Sequence, residues 1–311
     1  MRRRAPTIKD IAAEAGVSKS AVSRALLGQG EVSEDARRRI ETAAQRLGYV
    51  ANAMAAGLRS RTKSIGVVVR DVTRPYYGVL FAAMQAQAER RGYLLVTATS
   101  AEDLDISNAI GVVRSLISLQ VDGLILASTQ LDSARIAPFV SRVPMVVAGR
   151  MELGSIVPGV YSDDVDGGRV LADHVVAAGH RRVAVGLVEE QYSLSQHIRG
   201  RAMIDRLRAH GAHPVVIDVP DDKHMADVLD AVLEDRGVTA LMCPTDAALM
   251  DSLEALRIRG LTCPDDLSAT GYDGLGALAS PYLGLTTYRQ PVEAMGATAV
   301  DLVVGAIEQP D

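Results

Sequence analysis

From Ile65 onward the chain alternates short, continuously apolar runs with amphipathic helical stretches, and no other feature restricts its fold so tightly. The runs are Ile65–Val69, Leu94–Ala98, Gly123–Ala127, Met145–Ala148, Val183–Leu187, Val215–Val219, Ala240–Met242 and Leu267–Gly271. Strands apolar on both sides must be covered on both sides, and strand-helix alternation supplies the cover, so parallel α/β sheets are predicted. Eight strands are more than one modest sheet needs, and two similar lobes are expected. Ligands of such sheets bind beyond the carboxyl ends of the strands, which makes a cleft between the lobes the natural place for a small molecule. The length of 311 residues independently argues for two or three units.

Charge separates the head of the chain from this body. Residues 1–63 carry 13 Lys and Arg against 6 Asp and Glu, a net +7, while the remainder carries 20 against 32, a net −12. A basic head on an acidic body suggests that only the head meets a polyanion. Arg2, Arg3 and Arg4 run into polar sequence rather than an apolar stretch, so no secretory signal is expected. Nowhere do 18 apolar residues follow one another, so no spanning helix is expected, and a cytoplasmic location is predicted. Cys243 and Cys263 are too few for a disulfide framework and do not have the spacing of a zinc site.

In the head, Thr7 is the N-cap of a first helix, with Asp10 in a looser form of the capping box. Ile8, Ile11, Ala12 and Ala15 fall on one stripe, and Gly16 stops the helix. Ser18 caps a second helix whose inward residues are Ala21, Val22, Ala25 and Leu26; Lys19, Ser20, Ser23 and Arg24 occupy its other face. A third helix begins at Ser33, places Glu34 and Asp35 where the helix dipole favours acids, and buries Ala36, Ile40, Ala44 and Leu47 before Gly48. Three short helices with a tight Gly-Val turn make a helix-turn-helix. The free face of its second helix carries the donors, acceptors and cations that base edges in a major groove require. A plain three-helix bundle is the alternative.

The runs Thr7-Ile8-Lys9-Asp10-Ile11-Ala12, Ala15-Gly16-Val17-Ser18, Val22-Ser23-Arg24-Ala25-Leu26 and Leu47-Gly48-Tyr49 resemble the LacI/GalR family of bacterial regulators. The resemblance implies that Lys19, Ser20 and Arg24 face bases, that Thr7, Ser18, Ser23, Ser33 and Arg37 hold phosphates, and that Tyr49 and Asn52 approach the duplex near the minor groove. It implies a hinge helix from Asn52 to Ser60, with Leu58 as a minor-groove wedge; packing of Leu58 against the body is the rival. Nine residues with Gly57 among them cannot hold a helix alone in water, so the hinge is expected to order only on DNA. Departures are Leu27 for a usual asparagine, Ala51 for a proline and Ala56 for an arginine.

The resemblance continues through Val121-Asp122-Gly123, Ser162-Asp163-Asp164, Gly167-Gly168, Ala178-Gly179-His180, Pro264-Asp265-Asp266, Gly271-Tyr272-Asp273 and Leu285-Thr286-Thr287. It implies a sensor similar to a periplasmic sugar-binding protein. Asp273 is then expected to hydrogen-bond the effector, with a helix cap or lobe contact as its rival, and Tyr76 and Tyr77 to set aromatic rings against it, with packing at the helix start as theirs. Arg150 is expected near the cleft mouth, and Thr245-Asp246 stands where an Asn-Asp pair is usual. The effector-gripping arginine of an Arg-x-x-Gly motif maps to His197, before Gly200, leaving Arg199 out of register. An imidazole cannot clamp a carboxylate as a guanidinium does, so an effector unlike the familiar sugars and purines is expected. His180 is expected to be structural. The family returns once more to the second lobe with a final strand after the last helix, so either the sequence is trimmed at Asp311 or that lobe is one strand short.

The fold predicted is an N-terminal all-α helix-turn-helix domain plus a two-lobed, periplasmic-binding-protein-like α/β sensor with parallel sheets. Its parts are residues 6–51, a hinge at 52–63, and a body at 64–311 whose lobes are about 64–162 with 288–311, and about 163–287. No phosphate loop, triad motif or metal cluster is visible, so neither enzyme activity nor a cofactor or metal is expected. A transport-type binding protein would fit the body alone, but not the basic head. The expected partners are near-palindromic operator DNA, a second copy of the chain, and a sugar or other small metabolite.

Overall fold

The computed structural model describes residues 6–27, 31–47, 62–99, 106–127, 131–221, 225 and 227–309. The chain divides into two compact units, Met1–Thr62 and Lys63–Asp311. The first holds α1 (Ile8–Ala15), α2 (Lys19–Leu27) and α3 (Glu34–Leu47). At the start of α1 the Asp10 carboxylate accepts the Thr7 amide and hydroxyl, both at 2.7 Å, tying the entering chain to the first turn. Gly16 ends the helix in the left-handed conformation, φ 63°, which a residue with a Cβ adopts only with strain. Ile11, Ala12, Ala15, Val22, Ile40, Ala43 and Ala44 form the core of this unit.

The second unit begins with β1 (Ser64–Val69), α4 (Pro75–Arg90), β2 (Leu94–Thr99), α5 (Ile106–Ser118), β3 (Gly123–Ala127), α6 (Ser133–Val140), β4 (Met145–Ala148) and β5 (Gly159–Val160). These strands make one sheet in the order β2-β1-β3-β4-β5, every neighbouring pair parallel. A second sheet follows from α7 (Asp164–Ala177), β6 (Arg182–Val188), α8 (Leu194–Ala209), β7 (His213–Val219), α9 (Leu229–Glu234), β8 (Ala240–Met242), α10 (Asp246–Ile258), β9 (Ser268–Asp273) and β10 (Thr287–Arg289). Its order is β10-β9-β8-β6-β7, again parallel throughout. The last helix, α11 (Val292–Glu308), returns to the first sheet, where Val300, Val303 and Val304 share a core with Leu80 and Met84 of α4.

Each sheet has an apolar core on both faces. β1 and β3 are buried along their whole lengths, as continuously apolar runs require. Each fully buried Ile, Leu or Val contributes roughly 1.5–3 kcal/mol, so the two lobes need no covalent staple. The short β5 and β10 were not predicted. They pair only two and three residues, at the end of a sheet, and carry no apolar run of their own. In the second lobe, α7 crosses α8 at Gly168, where a Cβ would lie 2.6 Å from the Arg199 carbonyl oxygen. That close approach fixes the backbone of Arg199 against the start of α7. Among the described residues no helix is long and apolar enough to cross a membrane.

Candidate functional site

In the first unit the core uses one side of α2 and leaves the other exposed. Val22 is fully buried, whereas Ser18, Lys19, Ser20 and Arg24 are exposed and Ser23 is half-buried. The Ser18 hydroxyl oxygen accepts the Ala21 amide at 3.2 Å, and that of Ser33 accepts the Ala36 amide at 3.3 Å. A capping serine spends a lone pair on its helix, and its proton can then be donated to a phosphate oxygen. Arg37 is half-buried and reaches the Ala25 carbonyl at 3.5 Å, linking α3 to α2. Thr7 sits at the N-terminus of α1, half-buried. Lys19, Ser20 and Arg24 thus share one exposed polar surface. Tyr49, Asn52 and Leu58 lie outside the described residues.

In the second unit a cleft opens where strands of both sheets end. Arg74, Tyr76 and Tyr77 follow β1, Gly149 follows β4, and Ser193, Ser195, Gln196 and Arg199 follow β6. Thr245 and Asp246 follow β8, Asp273 ends β9, and Gln290 follows β10. Carboxyl ends of parallel strands from two lobes therefore supply the wall, as the topology demands. Tyr76 and Tyr77 meet edge to face at 5.3 Å. Burial is the main cause that pushes the Tyr76 phenol well above its ordinary value, so it is a neutral donor.

Arg199 is the centre of this wall, 4% exposed. Its Nε donates to Asp164 at 3.0 Å and its Nη2 lies 2.9 Å from the same carboxylate oxygen. Nη1 donates to the Pro244 carbonyl at 3.2 Å and lies 3.6 Å from Asp273. One face of the guanidinium stacks 3.9 Å from the Tyr272 ring centroid, and Tyr288 stacks on Tyr272 at 4.9 Å. Burial opposes the charge on Arg199, but the carboxylates, Asp164 foremost, outweigh it and hold the group charged. Burial pushes the Asp164 carboxyl upward against the pull of Arg199.

Asp273 takes φ 132°, a conformation L-residues seldom adopt. It is held there from two sides: its carboxylate accepts Gln290 Nε2 at 2.7 Å and its carbonyl accepts the Gln290 amide at 2.9 Å. Backbone strain so anchored is typical of functional positions. Asp246 accepts the Thr287 hydroxyl at 2.5 Å and the Gly274 amide at 2.7 Å, joining α10 to the ends of β9 and β10. Thr245 caps α10 by accepting the Ala248 amide at 3.1 Å.

Of the sequence-predicted cleft residues, Tyr76, Tyr77, Thr245 and Asp273 do meet at one cavity. Arg150 does not line it. Its buried side chain turns to the carbonyls of Leu131 and Met151, the latter at 3.0 Å, bracing the loop before α6. His197 does not line it either: its Nδ1 pairs with the Val188 carbonyl at 2.8 Å. Two residues along a helix turn about 200° around it, so His197 and Arg199 cannot share a face. Anchoring the register on Gly200 therefore selects a residue that does not line the cleft. Helical period points to Arg199 as the cleft-lining residue, because it precedes the buried Ala202 and Met203 by three and four positions. Asp163 is the cap, accepting the Asp166 amide at 2.9 Å, and Asp164 is the partner of Arg199. His180 pairs with the Thr239 hydroxyl at 2.8 Å.

The lobes also touch across the cleft. Arg70, after β1, donates to the Tyr192 carbonyl at 3.2 Å and stacks 4.1 Å from its ring centroid, and Ser195 donates to the Gly149 carbonyl at 3.4 Å. A cation–π contact of this kind is worth roughly 0.5–1 kcal/mol at partly exposed sites. Arg70→Ala is accordingly expected to broaden the distribution of lobe separations, measured with a fluorophore pair placed across the cleft. An unchanged distribution would mean that the contact does not govern closure.

Comparison with known proteins covers both units. The model of the bacterial regulatory proteins, lacI family, matches residues 7–52, and that of the periplasmic binding protein-like domain matches residues 172–311. Catabolite control protein A of Priestia megaterium is 28% identical over 306 residues, covering 96% of this chain and 91% of that protein. The HTH-type transcriptional repressor CytR of Escherichia coli (strain K12) is 28% identical over 314 residues, covering 98% and 90%. The crystal structure of the Lac repressor dimer bound to operator and the anti-inducer ONPF has the same fold, with a TM-score of 0.80 at 24% identity over 98% of this chain and 93% of that one. Head and body are matched on one chain: it carries a helix-turn-helix domain of the lacI family joined to a periplasmic binding protein-like domain, and relatives span both.

Proposed function

We propose that the chain is a sequence-specific, DNA-binding transcription regulator, a repressor, whose operator affinity is set by a small-molecule effector held between its two α/β lobes. The observation that carries this is the exposed polar face of α2, with Lys19, Ser20 and Arg24 on a helix whose opposite side is locked into a core. That face is joined, on the same chain, to a cleft walled by Tyr76, Tyr77, Thr245, Arg199 and Asp273. Lys19, Ser20 and Arg24 read bases, while Thr7, Ser18, Ser23, Ser33 and Arg37 hold phosphates. Tyr49, Asn52 and Leu58 complete the contact near the minor groove. The names of relatives support a repressor, and the dimeric, operator-bound Lac repressor supports a homodimer on a near-palindromic site. The protein acts in the cytoplasm as a binder and not an enzyme, without cofactor or metal. Effector binding shifts the relative population of lobe arrangements and so of DNA-competent dimers.

Selection of duplexes from a random pool by the purified full chain is the direct test, and it should return a near-palindromic sequence. On that duplex Arg24→Ala is expected to cost about 1–3 kcal/mol and to relax discrimination at one base position. A loss equal for all sequences would make Arg24 a phosphate contact, and a pool without enrichment would contradict the function.

A further inference from the structure

The pairing of β9 with β10 is short: it joins Gly271–Asp273 to Thr287–Arg289. The chain before β10 comes off a single 3-10 turn at Pro281–Leu283 and leaves it through Gly284 in the left-handed conformation, φ 62°. It rejoins β9 where the Gly271 amide donates to the Thr286 carbonyl at 2.9 Å. Ahead of that point, along Ser268–Thr270, a second cavity opens between β9, the end of α7 and the body of α10. It is larger than the cleft and lies at the other ends of β8 and β9, where Ala240 and Ser268 begin those strands.

Most of its wall is apolar, through Val175, Ala240, Leu249, Leu253, Pro264 and Leu285. None of the lining residues is Asp, Glu, Lys or Arg, and burial pushes the Cys263 thiol up and keeps it neutral. An ion seated here would lose hydration without gaining a counter-charge. Polar atoms come from Ser268, Thr270, Thr286, His174 and His180, the last already paired with the Thr239 hydroxyl through Nδ1 at 2.8 Å. Thr270 stands apart: it is 5% exposed, and its hydroxyl has no hydrogen-bond partner among the described residues. Side chains alternate along a strand, so Thr270 shares with Tyr272 the face that α7 covers. A hydroxyl withheld from water without a partner is costly, and a valine of nearly the same shape would avoid that cost. A molecule in the cavity that pairs with Thr270 removes it.

We propose that this cavity is a ligand site separate from the cleft, and that it takes an uncharged molecule with an apolar body and one hydroxyl or carbonyl group, which pairs with Thr270. The site bears on the cleft through two strands. Thr270 stands three residues before Asp273 on β9, and Thr286 adjoins Thr287, whose hydroxyl donates to Asp246. A molecule held against Thr270 and Thr286 therefore touches both segments that fix the second-lobe wall of the cleft.

The test uses the full chain and small probes matched in shape. Benzyl alcohol and p-cresol carry the hydroxyl, toluene lacks it, and benzoate and benzylamine carry a charge in its place. Binding is read by ligand-observed NMR titration. Benzyl alcohol and p-cresol are expected to bind about three- to tenfold more tightly than toluene, and the charged probes at least about tenfold more weakly than the alcohols. Thr270→Val should bring the alcohols level with toluene and leave the thermal midpoint of the second unit unchanged or raised, since an unpaired buried hydroxyl is removed. Ala178→Phe, at an exposed lining position, fills the mouth of the cavity and should weaken all three neutral probes. Alcohol affinities unchanged in both variants would place the probes elsewhere and overturn the proposal. Charged probes that bind as tightly as the alcohols, or no binding by any neutral probe at millimolar concentration, would overturn it as well.

Discussion

The Arg199→Met variant is expected to lose about 3–5 kcal/mol of stability in the second unit, because removing one partner of a buried ion pair strands the other's charge. The side chains of Arg199 and Asp164 are 5% and 8% exposed, so solvent cannot take over the task of solvating the carboxylate. The loss extends beyond the pair. Arg199 also supports the Tyr272 stack and lies beside the strained Asp273, so the end of β9 should loosen with it. Urea denaturation of the single variants and of Arg199→Met with Asp164→Asn makes a double-mutant cycle. The double variant should recover much of the loss, since no stranded charge remains. A single-variant cost below about 1 kcal/mol would place the pair among those that solvent screens.

Ile40→Ala should have the second large effect, confined to the first unit. Ile40 is fully buried among Ile11, Ala12, Ala15 and Val22, and an Ile-to-Ala truncation in a core costs about 2–5 kcal/mol. A unit this small buries a modest share of its surface and has only a few kcal/mol in reserve. The variant is therefore expected to unfold the reader and abolish DNA binding, while the melting of the second unit, which has its own cores, stays unchanged. Heat-capacity scans would separate the two transitions. A variant that keeps full DNA affinity would show that α2 does not need this core to be presented.

Most of the architecture was legible from period and punctuation. Thr7, Gly16, Ser18 and Ser33 bracket helices through local hydrogen bonds and backbone conformations, which depend on neighbours in sequence. The apolar runs of β1, β3 and β6 advertise burial directly. What could not be read depends on contacts between distant segments. Asp164 and Arg199 are 35 residues apart, and nothing near either one announces the pair. Asp246 joins Thr287 across 41 residues, and Arg150 finds its carbonyl at Leu131, 19 residues back. His197 was chosen from a motif glycine although its helical face is wrong; the stripe of Ala202, Met203 and Leu207 pointed to Arg199.

The central claim, that one chain reads DNA with α2 and answers to a molecule in its cleft, is tested most directly by one titration. Binding of the selected duplex by the full chain is measured by fluorescence anisotropy across a salt series, with and without the best cleft ligand. The account predicts sequence-specific affinity that falls linearly with log salt concentration, and a ligand-dependent shift that the Asp273→Asn variant loses. Affinity indifferent to salt and sequence, or a ligand shift that survives in Asp273→Asn, would contradict it.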